Sequence, residues 1–182
     1  AFSSISQIGY MLLGLTFLTK EGIQATLVTM FNHGITKATL FMSIGIYLFN
    51  IKSANLNNIK GLGKDMPFTS LAFLFGALSL VGIPGTAGFI SKWLLVEASF
   101  SSGNYFLGFC IVLSSLLTFV YLWIVIDNLF FKEKNCDYQK VSIPLSGIVP
   151  LWVFALSCVF FGIFTDLTLV TSDLASSMLF NK

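Results

Sequence analysis

Hydrophobic residues along the chain gather into long runs, and the polar residues collect in short stretches between them. The first run, Phe2 to Leu18, is short for a membrane span and carries Ser3, Ser4, Ser6, Gln7, Gly9 and Gly14. Small residues at that density let neighbouring helices approach closely. Lys20-Glu21-Gly22 reads as a polar break, and a second run follows from about Ile23 to Asn50. A polar loop from Ile51 to Met66 then ends at Pro67, which opens the third run as proline does at a first helical turn.

That third run, Phe68 to Val81, passes into Gly82-Ile83-Pro84-Gly85-Thr86-Ala87-Gly88-Phe89 with no charged loop, and apolar sequence resumes through Phe100. One straight helix from Pro67 to Phe100 would be about 50 Å long at roughly 1.5 Å per residue. The hydrocarbon core of a bilayer is only about 30 Å thick. The chain must turn or break, and the glycines and proline make 82–88 the place. Backbone opened at membrane depth is tolerated only where it is buried in protein or lines a watery cavity. A short turn at Ser101 to Asn104 leads to a fifth run, Tyr105 to Phe131, whose Tyr121, Trp123, Phe130 and Phe131 suit an interfacial aromatic belt. After a polar loop, Lys132 to Ser142, a sixth run covers Pro144 to Phe164, and the tail from Thr165 to Lys182 is mildly amphipathic.

The pattern predicts an all-α membrane protein of about six transmembrane helices in one domain over 1–182, with one broken helix near 82–92. Composition agrees: the chain is 55% hydrophobic and 10% charged, with a mean hydropathy of +0.87. A soluble domain carries about a quarter charged residues. The ten basic residues are all lysine and are scattered, which argues against a nucleic-acid-binding face. With six alternating crossings, Lys20, Lys132, Lys134 and Lys140 fall on one side and Lys52, Lys60, Lys64 and Lys182 on the other, so the positive-inside rule is undecided. The chain begins Ala1-Phe2 without a signal peptide and reads as part of a longer polypeptide.

Ionisable residues inside apolar runs are functional-site hypotheses by default, because charge at that depth is costly. Lys37 lies near the middle of the second run, and His33 is one helical turn away on the same face. A lysine near a helix end would simply snorkel to the interface; the central place of Lys37 disfavours that. Desolvation disfavours the charged form of an amine, which is what a proton relay needs. Lys92 sits one or two turns past the glycine-rich break, the pattern of a transport site. Its bland alternative is a lysine facing a lateral cleft. Glu97, about 140° around the helix from Lys92, is placed for an interface or a structural ion pair. Asp127 reads as an interfacial residue, with proton exchange the lesser alternative. Ser114, Ser115 and Thr118 line a possible polar path, although hydroxyls in membrane helices often bond their own backbone.

Catalytic templates are missing. A single histidine cannot build a serine-type triad from this sequence, and no phosphate loop or dinucleotide fingerprint occurs. The cysteines Cys110, Cys136 and Cys158 are too far apart for a metal or redox motif and read as small apolar helix residues. No cofactor and no metal are expected, so any enzyme role would be as a subunit of a larger redox assembly.

Four ordered motifs resemble the antiporter-like subunit family, the proton-pumping membrane subunits of NADH:quinone oxidoreductase (complex I) and of Mrp-type sodium/proton antiporters. They are Ala1-Phe2-Ser3-Ser4-Ile5-Ser6-Gln7-Ile8-Gly9-Tyr10, Asn32-His33-Gly34 with Lys37-Ala38-Thr39-Leu40-Phe41, Gly61-Leu62-Gly63 to Pro67, and Gly82-Ile83-Pro84 to Gly88-Phe89-Ile90-Ser91-Lys92. The resemblance implies a fold of about fourteen helices in two inverted five-helix repeats. Residues 1–131 would be the second repeat, and 144–182 the following helix and tail. It implies further that Lys92 is the terminal proton-exchange lysine and that Lys37 and His33 are relay residues. The first repeat, and a lysine the family places just before Ala1, lie outside this sequence. A lysine rather than a glutamate at position 92 speaks against one of the three complex I pump types. Ser-Ile-Ser-Gln-Ile-Gly-Tyr-Met and Ser91-Lys92-Trp93 look most like the D-type subunit of the Mrp antiporters. A complex I subunit is the alternative.

The resulting expectation is proton translocation, with Na+ as a further candidate ion, by a subunit lodged among other membrane subunits. The expected location is a bacterial inner membrane, or a mitochondrial one if the protein is organellar. The competing expectation is a structural membrane subunit whose lysines do not transport.

Overall fold

The structure is a computed structural model that describes residues 2–52, 55–133 and 145–180. Most of the expected loop after Lys132, with Cys136, Lys134 and Lys140, lies outside the described residues, as does Lys182. Among the described residues all regular structure is helical: α1 (Phe2–Thr16), α2 (Lys20–Ile51), α3 (Leu62–Asp65), α4 (Pro67–Val81), α5 (Ala87–Ser101), α6 (Tyr105–Phe130), α7 (Leu145–Ile163) and α8 (Asp166–Phe180), with a single 3-10 turn at Leu56–Ile59. Of these, α2, α6 and α7 are long and apolar enough to cross a membrane, and α4 is a shorter apolar helix. Large apolar side chains face outward along α6 and α7, among them Phe106, Phe109, Leu116, Val153 and Phe160. A surface of that kind belongs in lipid or against other apolar protein.

Lys20-Glu21-Gly22 is the first turn of α2, where the sequence suggested a break. Thr19 is the N-cap: its extended backbone and its hydroxyl, which accepts from Gly22 N–H at 3.0 Å, start the helix there. Glu21 then sits in the first turn, where the helix dipole favours an acid. The chain reverses over Phe17 and Leu18 instead. Pro67 does open α4, as expected.

Helix α2 is the central post, packed against α1, α4, α5, α7 and α8. Side-chain hydrogen bonds set the register of its neighbours. Along α2, Asn32 reaches Ser91 at 2.9 Å, Thr36 meets Ser79 at 2.9 Å, and Tyr47 meets Ser70 at 2.7 Å. The partner numbers fall as those of α2 rise, through both α5 and α4. The two helices therefore follow one another end to end, antiparallel to α2. Helix α6 repeats the register, with Gly108 beside Ser99 and Phe100, Ser115 beside Lys92 and Val81, and Asn128 accepting from Gly61. Of the turn or break that the sequence left open, the chain takes the break. Residues 67–101 form one interrupted path.

This register also moves a loop. Gly61 N–H donates to Asn128 O at 3.0 Å, so the 55–66 segment and the C-terminal end of α6 share one end of the bundle. Lys52, Lys60, Lys64 and Lys132 lie at that end and Lys20 at the other. The alternating tally, which put Lys132 with Lys20, does not hold, because it counted α4 and α5 as separate crossings.

Candidate functional site

The interruption after α4 is a consequence of its sequence. Gly82 takes a left-handed backbone (φ 86°), which costs glycine nothing. Its N–H returns to Ser79 O at 3.1 Å, and Ile83 N–H returns to Leu78 O at 3.1 Å. This pair of bonds closes the helix as a Schellman motif. Pro84 has no N–H to continue the ladder. The carbonyls of Leu80 and Val81 are left without a helical partner, in the apolar interior.

Lys92 supplies it. The Cα–Cβ bond of a helical residue tilts toward the helix N-terminus, so a lysine in the second turn of α5 reaches back to the end of α4. Its Nζ donates to Leu80 O at 2.9 Å, to Val81 O, and to Ser115 Oγ at 2.9 Å. Ser115 in turn donates to Val81 O at 2.6 Å. All three ammonium protons are used, at the negative end of the α4 dipole. The Tyr10 ring lies over the same nitrogen, 6.0 Å from its centroid. Lys92 is 9% exposed. Its aliphatic stem occupies the space over Gly82 where a Cβ would project.

The start of α5 is secured by its neighbours. Ser79 Oγ accepts from Gly88 N–H at 3.3 Å, and Asn32 Nδ2 donates to Ala87 O at 2.8 Å. A Cβ on Gly88 would overlap the Ser79 carbonyl. The missing side chain lets the two half-helices come so near.

His33 and Lys92 line one small cavity with Gln7, Thr29, Asn32, Thr36 and Ser91. Its volume is about 10 Å³, the space of a single water centre. Two of the residues that line it, His33 and Asn32, each carry a buried atom with no protein hydrogen-bond partner, Nδ1 and Oδ1 respectively. Buried polar atoms of that kind are normally satisfied by water.

Lys37 faces elsewhere. Its Nζ donates to Ser3 Oγ at 2.6 Å and lies 5.5 Å from the centre of the Phe41 ring. It lines a mainly apolar cavity of about 260 Å³ among α1, α2, α4 and α6. Tyr121 lines the same cavity. The structure thus brings Lys92 and His33 to one cavity and Lys37 to another; Leu80 borders both.

Of the remaining candidates, Glu97 and Asp127 are peripheral. Glu97 is exposed on α5. Asp127 pairs with Lys132 at 3.6 Å near the end of α6. Ser114 stands beside the buried Tyr10 hydroxyl, while the next residue, Ser115, is the one that meets Lys92. Cys158 is buried among helices, 3.6 Å from Thr39 Oγ1, and Cys110 is half-buried. The sequence reading gave no individual role to Gln7, Asn32 or Tyr10. A signal was present for α1: Ser3, Gln7, Tyr10 and Gly14 recur at helical spacing, so one face is more polar than its surroundings.

Residues 1–118 match the family described as NADH:quinone oxidoreductase/Mrp antiporter, TM. An NADH-quinone oxidoreductase subunit N from Desulforudis audaxviator is 31% identical over 91% of this chain and 36% of its own length. The D-type subunit of the Na(+)/H(+) antiporter of Bacillus subtilis is 29% identical over 99% of this chain and 37% of its own length. Among solved structures, a chain of the Mrp complex from Dietzia sp. DQ12-45-1b superposes with a TM-score of 0.89 at 25% identity, over 97% of this chain and 41% of that one. The chain thus spans little more than a third of these two curated relatives.

Proposed function

Because the chain belongs to the membrane-subunit family shared by NADH:quinone oxidoreductase and the Mrp antiporters, we propose that it carries the exit half of a proton path. Lys92 is the exchanging group, His33 its neighbour across the small cavity, and Lys37 the next station along α2. The observation that carries this is the shared cavity beside the helix interruption. A single water there would meet Asn32 Oδ1 and His33 Nδ1, both unpartnered within the protein, next to the lysine. His33 passes a proton to that water, the water passes one on to the neutral Lys92 amine, and Lys37 stands one helical turn from His33 on the incoming side. The two bases on α2 repel each other's charge, so one proton at a time occupies the pair.

The assembly is proposed to be a multisubunit cation/proton antiporter with this chain in the place of its D-type subunit, residues 1–131 forming a repeat. The Mrp likeness and the alignment with the Bacillus subtilis antiporter chain over 99% of this one support that choice. A proton-pumping subunit of a quinone oxidoreductase is the second reading, favoured by the 31% identity to a subunit N. In either case the partners are other membrane subunits. The location would be a bacterial inner membrane, and the lysine-rich end holding Lys52, Lys60, Lys64 and Lys132 would face the cytoplasm.

The test is Lys92→Ala in the intact protein within its assembly. Proton-coupled transport in membrane vesicles should be abolished while the assembly still forms. Full transport by that variant would remove Lys92 from the path.

A further inference from the structure

The α4–α5 interruption holds a cluster of oxygens that the proton path alone does not require. Two carbonyls, Leu80 and Val81, and one hydroxyl, Ser115, converge on a single point, and the Lys92 ammonium occupies it. Opened carbonyls at the C-terminal end of a half-helix are the usual membrane solution for holding a small cation, because the helix dipole presents its negative end there. The three donors are neutral. Divalent ions are normally taken by carboxylate-bearing sites, so the cluster suits a monovalent ion. The adjoining cavity, which Leu80 and Lys92 both line, has room for one water as a further ligand.

We propose that the Lys92 ammonium and a monovalent alkali cation are alternative occupants of this oxygen cluster. If Lys92 gives up its proton, the neutral amine has two N–H groups for the acceptors that three had filled, and the negative helix end loses its counter-charge. A cation entering then replaces the charge that the proton carried away. One cation in and one proton out leave the net charge of the site unchanged, which is the condition for exchange at little electrostatic cost. The lysine stem is packed over Gly82 and the cluster opens only when the stem withdraws. The ammonium and the cation therefore exclude each other. This inference rests on the place given to Lys92 in the proton path and adds the ion class that would compete with it.

The experiment measures equilibrium binding of radioactive Na+ to the purified assembly carrying wild-type chain, Lys92→Ala, Lys92→Met, or Lys92→Ala with Ser115→Ala. The alanine variant empties the cluster and should gain one saturable Na+ site per copy over wild type. The methionine variant fills the same space with an apolar stem and should gain none. Adding Ser115→Ala should weaken the gained site at least tenfold. Should Lys92→Ala not assemble, Lys92→Ser replaces it with the same expectation, its hydroxyl adding an oxygen. Binding by the alanine or serine variant equal to wild type overturns the proposal, and so does an equal gain in the methionine variant. Proton transport is read in the same preparations. Transport retained by Lys92→Met would defeat the proton path and leave the binding result to stand by itself.

Discussion

Lys92 and Lys37 are the same residue type in the same kind of apolar helix, yet the bundle treats them differently. Lys92 has three acceptors, two of them main-chain carbonyls. Lys37 has one serine hydroxyl and the flank of a phenylalanine ring, and it is half-buried at the edge of a large apolar cavity. The difference lies in the backbone. Helix α2 runs unbroken from Lys20 to Ile51, so the carbonyls around Lys37 are already used by their own helix. Helix α4 stops at Val81, and the stop releases two carbonyls within a lysine's reach. A buried cation inside a bundle is thus accommodated where the backbone is opened for it.

The strongest way to break that contrast is to spoil the opening. Gly88→Ala forces a methyl group into the Ser79 carbonyl, and backbone against backbone has nowhere to yield. A clash of this severity belongs with the destabilisations above about 4 kcal/mol, so the variant protein should be absent or unassembled in membranes. Gly34→Ala is the control on the unbroken helix. A Cβ there meets nothing within 4 Å, and replacing glycine within a helix should stabilise by about 0.5–1 kcal/mol. Membrane abundance and thermal melting of the two variants check the pair. Equal behaviour would mean that the close approach at Gly88 is not what holds the half-helices together.

Exchanging the lysines themselves comes next in size. Lys92→Met leaves the Leu80 carbonyl without its donor and Val81 with only Ser115, at a cost of about 2–4 kcal/mol for buried acceptors of a charged donor. Lys37→Met deprives only a serine hydroxyl, and a cost of about 1 kcal/mol or less is expected. Melting of the purified assembly should rank the two in that order. Transport should fall at least about 100-fold in the first, at the scale of a lost proton-transfer group, and less in the second. Equal losses of stability would show that the freed carbonyls find other partners.

Much of this architecture was legible in the letters. Apolar runs located the helices, Pro67 marked a start, and the glycines with Pro84 marked the interruption. Lys92 and His33 stood out because ionisable side chains are rare in such runs. Other features were out of reach for physical reasons. Main-chain carbonyls have no letter, so the acceptors of Lys92 could not be named beforehand. Ser114 and Ser115 differ by one step of about 100° around a helix, and only the packed orientation of α6 decides which meets the lysine. At the start of α2 charge and capping point different ways: Lys20 and Glu21 resemble a loop, whereas Thr19 stands in place to cap them. Placing Lys132 opposite Lys52 followed from counting apolar runs as crossings, and a count cannot tell two crossings from two halves of one.

The smallest expected effect compares the two hydroxyls. Ser115→Ala removes one acceptor from Lys92 and one donor from Val81 O, but both carbonyls keep the ammonium. A loss of about 1 kcal/mol follows from one buried hydrogen bond, with transport lowered a few-fold because the ammonium is less well held. Ser3→Ala removes the hydroxyl on Lys37, yet that lysine borders a cavity of about 260 Å³, which leaves the amine room to shift. Its cost should stay below about 1 kcal/mol, the value of one hydrogen bond at a half-buried site. Melting resolves the two if several preparations are averaged. A larger effect at Ser3 than at Ser115 would reverse the ranking of the sites, making Lys37 the more tightly held of the two cations.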